Sequence, residues 1–191
     1  MKANAIKQAM AALPAMAIAE PEYAKRGNHL DVTVAPDQLV AAVTVLDSHG
    51  FFIEAITGVD WLGEKAALKK EAAAKAAAAA KAAAEAAAAA GQEPPPSPAA
   101  PAEPEGSPVD DLEVIYDFNR YETLCRVTVR TRVPRDKPEV PTISEIYPGA
   151  NWHERETHDF FGITFVGHPY LAPLLLPEDA DFHPLLKDYK P

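Results

Sequence analysis

Between Asn151 and Gly162 the chain reads NWHERETHDFFG, and His153, Glu154, Arg155, Glu156, His158 and Asp159 within it all titrate. Imidazoles beside carboxylates are the raw material of metal-assisted hydrolysis and general acid–base catalysis. The spacing argues against a metal. His153 and His158 are separated by a step of five in sequence, whereas an HExxH pair uses a step of four so that both rings share one helix face. Arg155 with Asp159, and Glu154 with His158, do have the step of four and are expected to pair along the helix. A helix laced in this way is structural before it is catalytic. His168 and His183 each precede a proline, in GHPYL and FHPLL. Proline keeps the preceding residue extended, and both histidines are expected to be hydrogen-bonded or interface residues. The remaining metal-enzyme reading draws on His158, Asp159, His168 and His183 together. No GxGxxG, GxxxxGK or GxSxG is present, so neither nucleotide binding nor serine hydrolase chemistry has motif support.

Composition narrows the classes further. A net charge of −10 over 191 residues opposes nucleic-acid binding, which needs a basic footprint to displace counterions. Cys125 is the single cysteine, too few for an internal disulfide, a four-cysteine zinc site or an iron–sulfur cluster. The longest apolar run, the alanine tract near 72–90, is interrupted by lysine and glutamate and is poor in the leucine a membrane span requires. Membrane association is therefore expected only through a partner. Lys2, Lys7 and AMAALPAMAIAE imitate a secretory signal, but a short helix broken near Pro14 is the preferred reading.

The elements that must position the charged stretch form an α+β pattern, a small mixed sheet with packed helices. HLDVTV alternates as a half-buried strand, Leu39, Val43 and Leu46 follow at helical spacing, Gly50 is placed to end that helix, and FFIEAIT resumes a strand before a GVDW turn. LEVIYDF and LCRVTVRTRV alternate on either side of a short connection and are expected to form a hairpin. Its three arginines, Arg126, Arg130 and Arg132, either pair with acidic residues across the sheet or face an acidic partner. Thr142 with Glu145, and Asn151 with Glu154, have the spacing of capping boxes, and Gly162 suits a left-handed helix cap. The expected organisation is an N-terminal helical extension over 1–28 and one α+β domain from 29–63 and 109–165. An alanine-rich helical arm plus proline-rich insertion occupies 64–108, and an extended tail that wraps a partner occupies 166–191.

ERETHDFFGITFVGHP, followed by HPLLKDY, resembles the 30-kDa subunit family, the C-type subunits of the proton-pumping NADH:quinone oxidoreductases of respiratory complex I. ITGVDW, LEVIYDF and PGANWHERE fall in the family's order. The resemblance implies a cofactor-free, non-catalytic subunit that embraces the large quinone-site subunit beside other hydrophilic-arm subunits. It would sit peripherally on the cytoplasmic face of the inner membrane, with iron–sulfur clusters and flavin carried by partners. It also implies that Glu154, Arg155, Glu156, Asp159, Gly162, His168, Pro169, His183, Pro184, Lys187 and Asp188 serve the motif and the subunit interface. Two departures stand out. Leu171, Ala172 and Pro173 follow GHP where the family has basic residues, and Leu186 replaces an arginine of HPLRKD. An arginine-poor tail would also suit the similar small subunit of membrane-bound energy-converting nickel–iron hydrogenases, whose partner is a nickel–iron large subunit.

Overall fold

The alternation of apolar and polar residues over 30–34, 112–120 and 125–133 requires a sheet with one buried face. A computed structural model describes residues 3–14, 17–64, 67–68, 70–71, 73–75 and 110–190; the expected proline-rich insertion and most of the alanine-rich arm lie outside them. Five strands, β1 (Ala17–Ala19), β2 (Leu30–Val34), β3 (Phe52–Asp60), β4 (Leu112–Arg120) and β5 (Cys125–Val133), form one sheet in the order β1-β2-β5-β4-β3. β2 and β5 run parallel and the other neighbours antiparallel. Short β6 (Glu139–Pro141) and β7 (Thr164–Val166) pair in parallel beside it.

Register places Leu30, Val32, Leu112, Val114, Tyr116, Phe118, Val127 and Val129 on the buried face. In one core cluster they meet Ile6 and Met10 of α1 (Asn4–Ala11), Leu39, Val43 and Leu46 of α3 (Leu39–Ser48), and Ala150 and Phe161 of α4 (Ala150–Phe161). One turn, α2 (Tyr23–Arg26), precedes β2. On the opposite face the arginines are paired across strands: Arg126 with Glu54 and Arg130 with Asp31, both at 2.8 Å, and Arg132 with Glu113 at 3.6 Å while stacked on Trp61. Of the two readings of the hairpin, the structural one describes these side chains.

The sequence reading of local structure differs at four places. The expected helical extension over 1–28 is not helical throughout: residues 17–19 form β1, which pairs with the edge of the sheet at β2, and Ile6 and Met10 of α1 join the same core. GVDW is not a turn, because β3 continues through Gly58 to Asp60. The ring of Phe161 lies against Gly58 so closely that an added Cβ would sit 2.4 Å from it, so this glycine marks close helix–strand approach within a strand. Thr142 and Glu145 start no helix; residues 144–146 form a turn. Asn151 is not an N-cap either: α4 begins at Ala150 after Gly149, without a side-chain cap. Glu154, which the capping box assigned to that end, is turned inward. Gly162, by contrast, adopts φ 71° and ends α4 as expected.

Two compact units are present. The first holds residues 1–61 and 111–191, and the second holds 62–110. The first closes on itself at the insertion point, where Asp60 pairs with Leu112 across the ladder and the Trp61 N–H donates to the Asp111 carbonyl at 3.0 Å. Replacing 62–110 with a two-residue Asn-Gly turn should therefore leave a cooperative melting transition, since closing a shorter loop costs less entropy. Loss of that transition in calorimetry would show that the second unit belongs to the core.

Candidate functional site

The site is built on α4, where a charged sequence meets a tail unable to form regular structure. Prolines at 169, 173, 177 and 184 interrupt any helix or ladder, so the backbone groups between them need other partners. Pro173 and Pro177 bracket Leu174, Leu175 and Leu176. All three of those N–H groups donate to one carboxylate oxygen, Asp159 Oδ2, at 2.8, 2.7 and 3.3 Å. One turn earlier on α4, Arg155 serves the opposite polarity. Its Nε–H donates to the Ala172 carbonyl and its Nη2–H to the Pro173 carbonyl, both at 2.8 Å.

Arg155 and Asp159 thus stand at the spacing of an ion pair but are not one. Each charge is spent on the tail backbone, and charge-assisted bonds of this kind are about twice as strong as neutral ones. Burial works against ionisation of Asp159, but the N–H donors of Leu175, Leu174 and Leu176, with His158 nearby, outweigh it and hold its carboxyl below the usual range. The expected Glu154–His158 pair is absent among the described residues for a similar reason. Glu154 is fully buried and accepts from the Ile143 N–H at 2.8 Å and from the Thr142 hydroxyl, while His158 Nδ1–H donates to the Ile163 carbonyl at 2.9 Å.

The same helix holds the tail at its other bends. His168 Nε2–H donates to the Asn151 carbonyl at 3.3 Å, and its Nδ1 accepts the Tyr170 N–H at 3.1 Å, which fixes a neutral ring. Burial lowers its pKa, as do the charges of Arg155 and His158, while the bond to Asn151 opposes the shift. His183 Nδ1–H donates to the Asp159 carbonyl at 2.8 Å, and its ring lies where a Cβ on Gly162 would come within 2.7 Å. Gly162 is therefore required both by its left-handed backbone and by this contact. The Leu185 N–H donates to the Phe160 carbonyl at 3.1 Å.

A last anchor joins the motif residues Lys187 and Asp188 to Asp60 and Arg135, which the sequence did not single out. Buried Asp60 at the end of β3 accepts the Lys187 N–H at 2.8 Å and pairs with Arg135, which also pairs with Asp188. Pro184 is half-buried and Pro169 exposed; Glu156 is half-buried and makes no hydrogen bond or ion pair among the described residues. Leu171 and Leu186, the two apolar departures in the tail, pack against the core, a place where a guanidinium would need burial with a partner. His158 and His183 approach edge-on at 6.4 Å between ring centroids. No three His, Cys, Asp or Glu side chains among the described residues are grouped to hold a metal ion.

The respiratory-chain NADH dehydrogenase 30-kDa subunit family matches residues 32–191. The chain belongs to this family. A relative from Roseiflexus sp. RS-1, the C-type subunit of an NADH-quinone oxidoreductase, is 30% identical over 97% of the chain and 82% of its own length. The like-named protein of Roseiflexus castenholzii is 47% identical over 40% of the chain, and the C-type subunit of the F(420)H(2) dehydrogenase of Methanosarcina mazei is 43% identical over 42%. The chain spans about half the length of these last two, 44% and 52%. A solved Nqo5 fragment shares the fold at a TM-score of 0.56 with 22% identity, covering 90% of this chain and all of that one. The membrane-bound sulfane sulfur reductase, an archaeal respiratory membrane complex, contains a chain with a TM-score of 0.62 and 22% identity, covering 97% and 84%.

One member of this 30-kDa subunit's motif reports on pH. Burial pushes the Glu154 carboxyl up to about 7 against the pull of the Ile143 and Thr142 hydrogen bonds. The groups facing it are His168, with Nε2 at 3.9 Å, and Tyr116, whose own ionisation is opposed by burial and by the Glu154 charge. A carboxyl with a raised folded pKa binds its proton more tightly in the folded state. Its contribution is thus full below about pH 4.5 and declines as pH rises through about 7, by up to about 3 kcal/mol. Asp159 acts oppositely and only at the acid end, below the usual carboxylate range. Denaturant unfolding from about pH 5 to pH 8 should therefore show Glu154→Gln gaining on the natural chain as pH rises. Parallel stability profiles would refute the assignment.

Proposed function

We propose that the chain is a non-catalytic assembly subunit in the hydrophilic arm of a membrane-associated respiratory oxidoreductase of the NADH–quinone type, docked on the large subunit beside the quinone site. The observation that carries this reading is the family match over 32–191 joined to a motif in which Arg155 and Asp159 are consumed in shaping the tail. A catalytic carboxylate must be free to meet substrate or exchange a proton. Asp159 Oδ2 instead receives three backbone donors, and Glu154 is sealed beneath α4. The identity of the partner has support from the relatives. A Psychrobacter protein named as the combined C/D subunit of an NADH-quinone oxidoreductase matches this chain at 42% identity through only 14% of its length. There a C-like segment is joined covalently to a D-type portion, and fusion of two chains is economical when they are neighbours.

No described helix is long and apolar enough to cross a membrane; in this reading, attachment to the cytoplasmic membrane face runs through partners. Those partners carry the iron–sulfur clusters and flavin, and this chain contributes shape. The tail's exposed Tyr170, Leu175 and Leu185 supply apolar area for that contact. Affinity purification of the full chain from gently solubilised native membranes tests the proposal. It should bring down a homologue of the D-type large subunit in a fraction with NADH- or F420-type dehydrogenase activity. A nickel–iron large subunit in that fraction would move the complex to the hydrogenase branch, and a chain recovered alone with intrinsic turnover would overturn the reading.

A further inference from the structure

Arg155 has donors left over. A guanidinium presents five N–H groups on a planar fork. The Nε–H and one Nη2–H, its side-on edge, are taken by the carbonyls of Ala172 and Pro173. The end-on edge formed by Nη1 and the second Nη2–H meets no acceptor among the described residues. Two aromatic rings converge on this half-buried group. Trp152, one turn earlier on α4, lies with its ring centre 5.8 Å from the guanidinium carbon, and Tyr170, from the tail, lies at 5.2 Å. Both rings are largely in water, at 64% and 66% exposure.

Single exposed aromatics are ordinary. Two of them around an arginine held rigidly by its other edge combine the three residue types that dominate protein-binding hot spots. The rigid hold matters because the entropy of fixing a long side chain is already spent before a partner arrives. No neighbouring carboxylate occupies that edge: Asp159 is turned to the tail amides, Glu156 makes no ion pair with Arg155, and His168 is fixed neutral by its two hydrogen bonds. Two parallel N–H vectors match the two oxygens of a carboxylate. The flanking rings offer apolar area that a small inorganic anion would leave uncovered, so the matching ligand is a carboxylate on a larger apolar body. A second copy of the chain is disfavoured by the mutual repulsion of two molecules each at −10.

We propose that Trp152, Arg155 and Tyr170 form a docking site for an aspartate or glutamate side chain of a partner subunit, the carboxylate seated on the end-on edge of Arg155 between the two rings. The site rests on the reading of the chain as an assembly subunit and names the contact through which it binds. Arg155 itself is a poor probe, because its loss also frees the tail. The test instead uses the full chain with p-benzoylphenylalanine in place of Trp152, assembled in the native complex, irradiated and mapped by mass spectrometry. The expected product joins position 152 to a segment of another subunit that contains an acidic residue. Neutralising that residue, or introducing Trp152→Ala or Tyr170→Ala here, should weaken association at least about tenfold with the melting temperature of the free chain unchanged. Crosslinking to a second copy, to a segment without an acid, or to nothing in an assembled complex would overturn the proposal, as would variants that bind like the natural chain. Failure of the natural chain to enter any complex would instead remove the functional reading, and this site with it.

Discussion

One carboxylate oxygen, Asp159 Oδ2, receives every backbone N–H between Pro173 and Pro177, and the course of the tail depends on it. Those prolines forbid the usual solutions to backbone hydrogen bonding. Without an outside acceptor, the intervening N–H groups would have to stay in water, and the apolar side chains around them would follow. Arg155 completes the arrangement from the opposite sign by taking the two preceding carbonyls. A helix whose charges are four apart normally gains a few tenths of a kcal/mol from pairing them. Here the two are separated and turned to the tail, where charged hydrogen bonds are worth about 1.5–3 kcal/mol each.

The rest of the first unit serves this helix. Gly58 lets Phe161 lie directly on β3, which seats the C-terminal half of α4 against the sheet. Glu154 pins the other side by holding the 142–143 segment, so the turn that leads into α4 and the helix itself are locked through a buried acid. His183 reaches the end of α4 only because Gly162 has no Cβ, and Asp60 with Arg135 fastens the chain's last turns to the sheet. The charged side chains of Glu154, Arg155 and Asp159 in the opening stretch are thus explained by positioning. What the helix presents outward, Trp152 and one unspent edge of Arg155, is small and specific.

Strands β2 to β5 and helix α3 were legible in the sequence because alternation and helical spacing follow directly from one-sided burial, whereas β1, β6 and β7, three residues each, are too short to show a period. Leu30, Val32 and the even positions from Leu112 to Phe118 could hardly be arranged otherwise. The resemblance carried by ERETHDFFG was legible too, and the family match agrees with it. Partner choice within the site was not. Step-of-four spacing shows which side chains share a helix face, but it is blind to a tail arriving from outside, so Arg155 and Asp159 read as a pair. Glu154 read as a cap because a carboxylate three residues after Asn151 fits that pattern, whereas its burial is set by Thr142 and Ile143 crossing beneath the helix. Gly58 read as a turn because nothing local reports Phe161, about a hundred residues later. Asp60, Arg135 and Asp188 are brought together by tertiary structure alone.

The clamp is tested most directly by amide hydrogen exchange at Leu174, Leu175 and Leu176 in the natural chain and in Asp159→Ala, read beside the core amides of Val127 and Val129. The account predicts that all three tail amides are protected in the natural chain and exchange at least about tenfold faster in the variant, while the core amides of β5 keep their protection. Tail amides that exchange at the same rate in both proteins would contradict it.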